Sequence, residues 1–94
     1  MSVLDKDKKK REWKLTIGNS KQMRPTFGSC LTTALTHIDK VILLAEKCYK
    51  EDVNDLRIVR HEMDKLKMVQ GRMEWHLKIG PGKGYIAIEK IGTE

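Results

Sequence analysis

The sequence predicts an α+β domain, a small β-α(α)-β-β unit with a helical layer on one face of a small antiparallel or mixed sheet. Three observations carry that reading. One seven-residue phrase occurs twice, as Glu12-Trp13-Lys14-Leu15-Thr16-Ile17-Gly18 and as Glu74-Trp75-His76-Leu77-Lys78-Ile79-Gly80. Both copies alternate polar with apolar residues, which is the period of a half-buried strand, and both end at a glycine that opens a short lysine-bearing turn. Residues 30–70, which separate the copies, contain neither glycine nor proline. Finally, Gly80-Pro81-Gly82-Lys83-Gly84 joins the second copy to another alternating run, the pattern of a hairpin.

In chain order, residues 1–10 are polar and lysine-rich and read as a basic arm, with a single domain over residues 11–94. The first strand is expected over residues 11–17. Residues 18–28 read as a loop or a poor second strand, since Pro25 lacks the backbone donor an interior strand needs. Ser29 is the expected N-cap of the helical stretch. Its first half is amphipathic through Leu31, Ala34, Leu35, Ile38, Val41, Ile42, Ala45 and Tyr49, and its second half through Val53, Leu56, Val59, Met63 and Leu66. A single helix of about forty residues would run roughly 60 Å, more than so small a chain can cover alone. A break near residues 51–54, where Glu51, Asp52, Asn54 and Asp55 cluster, instead folds two helices into a hairpin. Gly71 ends the helical run. Strands follow over residues 73–79 and 85–91, with Ile86 and Ile88 on one face of the last strand and Tyr85, Ala87 and Glu89 on the other.

Size and composition bound the function. The chain has 94 residues, 39% hydrophobic and 34% charged, a globular balance with a core small enough that a second copy would help it. The longest purely apolar run, Val41 to Ala45, is too short to cross a bilayer, and no apolar signal segment follows the basic start. No membrane association and a cytoplasmic location are therefore expected. Cys30 and Cys48 lie eighteen residues apart in one helical stretch, roughly 27 Å, which argues against an intrachain disulfide and for buried free thiols. The net charge of +6 is unevenly placed: residues 1–24 hold eight basic and three acidic side chains, residues 29–70 seven of each, and residues 71–94 four and three. The chain is a neutral helical body with a basic arm, and that arm is a contact for a polyanion.

Catalytic and metal chemistry find little to stand on. The glycine-rich turn departs from the G-x-x-x-x-G-K-[ST] spacing of a phosphate loop and precedes a strand. No Cys or His pair has the spacing of a structural zinc site. His37 with Asp39 and His61 with Glu62 are one or two residues apart on a helix, so neither pair shares a face. The expectation is a non-catalytic protein without cofactor.

Nucleic-acid binding draws on more residues. The outward sheet face would carry Lys14, Thr16, His76, Lys78 and Tyr85, with Lys83 at the hairpin tip and Lys8, Lys9, Lys10 and Arg11 on the adjoining arm. Lysines tracking phosphates beside a ring that stacks on a base is how sequence-tolerant single-strand binders work. The excess of lysine over arginine favours phosphate contact over base readout. The alternative is a protein-interaction module, an adaptor or inhibitor of another protein acting through its apolar helical layer; the basic arm would also suit an acidic protein surface. Val41, Ile42, Leu43 and Leu44 cover about 300° of helix at 100° per residue, more than a sheet alone can bury. Met63 and Met68, with Met73 beyond them, supply adaptable apolar contacts. Val41, Leu43, Leu44, Met63 and Met68 are accordingly the expected partner or homodimer surface.

Overall fold

The computed structural model describes residues 12–68 and 70–91. The elements are β1 (Trp13–Ile17), β2 (Ser20–Arg24), α1 (Phe27–Cys48), a single 3-10 turn (Lys50–Asp52), α2 (Val53–Asp64), β3 (Arg72–Ile79) and β4 (Gly82–Lys90). They form one four-stranded antiparallel sheet in the order β2-β1-β4-β3, with both helices on one face. The α+β layering is as the sequence predicts. The expected arm, Lys8, Lys9, Lys10 and Arg11 included, lies outside the described residues.

The duplicated phrase becomes β1 and β3, which flank β4 on either side. In each copy the Trp, Leu and Ile turn inward: Trp13, Leu15, Trp75 and Leu77 are buried, and Ile17 and Ile79 pack partly buried against the same cluster. The copies are staggered along β4, with Leu15 opposite Ile88 and Trp75 opposite Ile86. Helix α1 closes the core with Phe27, Cys30, Ala34, Ile38, Val41, Ile42 and Ala45 at three- and four-residue spacing. Phe27 meets the Trp13 ring edge-on at 5.4 Å between centroids, a favoured geometry for aromatic pairs.

Several expectations are corrected. A fourth strand, β2, occupies residues read as loop or poor strand. It hides almost none of its own surface, and is held instead by Gly18 at φ 60° in the two-residue turn and by pairing from Trp13↔Arg24 to Ile17↔Ser20. The helix starts before Ser29: Thr26, extended at φ −136° and ψ 157°, caps it by accepting the Ser29 N–H at 3.1 Å. That earlier start brings Phe27 onto the core. The second helix stops at Asp64, well short of Gly71, and its last turn tightens through Leu66 N–H to the Met63 carbonyl. Gly71, at φ 82°, enters β3 instead. Cys30 is buried but Cys48 is exposed. Although its longest apolar run is short, α1 as a whole is long and apolar enough by length and composition to cross a bilayer; in this fold the stripe from Cys30 to Ala45 is core.

The helical stretch does break where polar residues cluster. Tyr49 leaves the helix at φ −137° and ψ 59°, and Asp52 N–H donates to its carbonyl. Asp52 is 4% exposed and makes no cap bond; its Oδ2 accepts the Gly80 N–H at 2.7 Å, across the molecule on the β3–β4 turn. The Tyr49 ring lies against the same glycine, where any Cβ would strike it. Gly80 has φ 59°, the sign a type II′ hairpin asks of its first central residue, and Pro81 supplies the fixed φ of the second. The inter-helix corner and the hairpin turn are thus clamped together, and α2 returns along α1 with Arg57 paired to Glu46 and Arg60 to Asp39.

Candidate nucleic-acid interface

Cross-strand register fixes the outer face of the sheet in four rows. The first reads Met23, Lys14, Glu89, Arg72 and the second Lys21, Thr16, Ala87, Glu74. The third sets Tyr85 opposite His76, and the fourth sets Lys83 opposite Lys78. Rows lie about 6.8 Å apart, two residues of strand. These four rows carry five permanent cations against two carboxylates, and both carboxylates sit in the first two rows.

That end of the face is tied up internally. Arg72 donates to Glu74 at 2.7 Å, to Glu89 at 3.0 Å and to the Tyr85 hydroxyl. Lys14 Nζ stands 3.8 Å from Glu89. The Arg72 hydrogen bond holds the Glu74 carboxyl below the usual carboxylate range, and the same bond raises the guanidinium. Thr16 and Ala87, small residues between these long side chains, are buried although they face away from the helices.

The turn end differs. The His76 and Tyr85 rings stand 5.2 Å apart, tilted by 53°. His76 reaches a carboxylate only toward the next row, Glu74 at 3.6 Å, an ion pair when the imidazole is protonated. Beyond it Lys78 and Lys83 are directly opposed and exposed. A shallow concavity of about 440 Å³ lies there, lined by His76, Lys78, Pro81 and Lys83 among others. Of the residues expected to touch nucleic acid, Lys14, His76, Lys78, Lys83 and Tyr85 do share one face, and Lys14 is drawn into the ion-pair end. Arg72 and Lys21 were missed. The first falls one residue before the expected strand, and the second is on the strand that burial does not announce.

The expected helical surface comes apart. Val41 and Met63 are buried in the core, 9% and 0% exposed, because each falls on its helix's inward stripe. Leu43 and Leu44 are exposed but point 100° apart. Leu43 shares the flank of Asp39 and Glu46, which bind α2, whereas Leu44 lies toward Lys40 and Cys48. Met68 is exposed in the loop before β3. His37 and Asp39 do not meet; Asp39 binds Arg60, and burial, then Lys40, lowers the His37 pKa. Burial raises the Cys30 thiol. Among the described residues no three His, Cys, Asp or Glu side chains come together as a metal site. Comparison with protein-family models, with curated proteins and with solved structures finds no match.

Proposed function

We propose that the outer sheet face binds a nucleic-acid backbone, single-stranded by preference and with little sequence readout. Lys78 and Lys83 contact phosphate, and Tyr85 with His76 offers rings to a base. The observation that carries this reading is the Lys78–Lys83 pair itself. Like charges directly opposed across strands destabilise a sheet, and here no carboxylate shares their row. A phosphate between them removes the repulsion, and the ring pair one row away is at stacking distance from the same strand of nucleic acid. The basic segment Lys8, Lys9, Lys10 and Arg11, which precedes β1 in sequence, adds a second phosphate-contacting region.

Fluorescence anisotropy with a labelled single-stranded oligonucleotide across a salt series tests this. Replacing Lys78 and Lys83 together by Gln removes two phosphate contacts and lowers the log–log salt slope by about 1.4, at about 0.7 per contact. The loss is uniform across sequences. Neutralising Lys8, Lys9, Lys10 and Arg11 lowers the slope by roughly 3 on the same arithmetic. Tyr85→Ala costs a further 1–3 kcal/mol or so, and Tyr85→Phe, which keeps the ring and loses the Arg72 contact, does not. Absence of binding to DNA or RNA of any form at low salt refutes the proposal. The adaptor reading then leads, since Leu43, Leu44 and Ile58 are 59%, 48% and 56% exposed on the helical layer.

A further inference from the structure

We infer that β3 is a self-pairing edge: two copies join β3 to β3 antiparallel, about a two-fold axis at His76, into one eight-stranded sheet. The inference rests on backbone phase, edge chemistry and charge register; it does not require nucleic acid, although Lys78 serves both readings.

The phase comes from the pairing with β4. Lys90 N–H donates to the Gly71 carbonyl at 2.7 Å, and the register continues from Arg72↔Glu89 to Ile79↔Gly82. Hydrogen-bonded pairs alternate along an antiparallel ladder. Residues 71, 73, 75, 77 and 79 therefore turn their amides toward β4. Arg72, Glu74, His76 and Lys78 turn theirs away from the sheet, at its end.

The two edges of the sheet are built differently. Strand β2 is five residues long and is followed by Pro25, both devices that discourage strand addition. Strand β3 is eight residues long and has no proline. Its inward side chains, Met73, Trp75, Leu77 and Ile79, include no charge. Met73 remains 38% exposed on this edge.

The charges then choose a register. A two-fold at Glu74 sets that carboxylate against itself, and one at Trp75 sets Arg72 against Lys78. A two-fold at His76 sets Glu74 opposite the second copy's Lys78, twice. On the inner side it sets Trp75 opposite Leu77 and Met73 opposite Ile79, each twice. Every N–H that β3 turns outward between Glu74 and Lys78 then donates to a carbonyl of the second copy, and Met73 gains an apolar neighbour.

Size-exclusion chromatography with light scattering, at tens to hundreds of micromolar, tests the assembly. The wild-type chain is expected at twice its 10.9 kDa. Lys78→Glu and Glu74→Lys each oppose like charges across the interface and raise the dissociation constant on the order of tenfold or more. Mixed together, the two variants are fully complementary and recover a heterodimer. Hydrogen exchange on the wild-type protein reads the same contact without mutation: the Glu74, His76 and Lys78 amides are slowed as concentration rises. A wild-type monomer throughout this range overturns the inference. So does a dimer that ignores both charge variants and breaks on Leu43→Lys, or slow exchange at these amides in a monomer, which would mean that the chain's own residues cover the edge.

Discussion

Replacing Gly80 by Ala tests the clamp between the helical corner and the hairpin turn. Two costs add. A residue with a Cβ at φ 59° loses about 1–2 kcal/mol relative to glycine. The new Cβ would also stand 2.8 Å from Tyr49 Cζ, with two other ring atoms nearer still. Forcing a methyl into such a contact typically costs about 1–3 kcal/mol. The sum is about 2–5 kcal/mol, or a melting temperature lower by about 4–8 °C for each kcal/mol in a domain of this size. Only the second cost depends on the ring, so Gly80→Ala in a Tyr49→Ala background should lose about 1–2 kcal/mol. Urea unfolding followed by tryptophan fluorescence reads all four proteins, since Trp13 and Trp75 are both buried. Equal cost in the two backgrounds would show that Tyr49 does not restrain the turn and would refute its part in the clamp.

Three further outcomes follow from described contacts. Thr26→Ala removes the side chain that caps α1 and should cost about 1 kcal/mol in urea unfolding; a change within error would mean Ser29 takes over the cap. Trp75→Ala should cost about 3–5 kcal/mol, the range for a large buried aromatic, and an unchanged midpoint would mean the strand is not packed as described. His37 has a folded pKa below its ordinary 6.5, through burial and then Lys40. As pH falls through 6.5 the unfolded chain takes up the proton first, so stability drops until pH passes below the folded value. His37→Gln should flatten the stability profile as pH falls through 6.5, and an identical slope in the variant would assign that dependence elsewhere.

Much of the architecture was legible because its signals are local. Alternation in the duplicated phrase placed Trp13, Leu15, Trp75 and Leu77 inside, and the polar run after Tyr49 marked the helix break. Strand β2 was not legible: Ser20-Lys21-Gln22-Met23-Arg24 buries too little to impose a period, and only its pairing with β1 makes it a strand. Thr26 went unread as the cap because Gly28 and Ser29 offer the same local signal two and three residues later, and only the place of Phe27 in the core decides between them. Half of the outer face could be written from alternation alone. The segregation of Glu74 and Glu89 from Lys78 and Lys83 needed the register of β4 against both neighbours. The consecutive apolar run of α1 left open which members face the sheet, and the answer for Val41 was the reverse of its expected surface role.

The strand order has a consequence for how the chain reaches this fold. Each hairpin, β1 with β2 and β3 with β4, joins neighbours in sequence across a two-residue turn and can form within microseconds. The seam between the hairpins is of another kind: Trp13 lies opposite Lys90, so β1 must find its partner across nearly the whole described chain. Such a closure is entropically costly and slow. During synthesis β1 and β2 are made long before β4, and α1 has only half a sheet to cover until the last described strand arrives. The inner face of β1 therefore waits, exposed, for β4. Folding of this sheet is committed only once β4 has been made, and lesions in β4 should act on the rate of folding as well as on final stability.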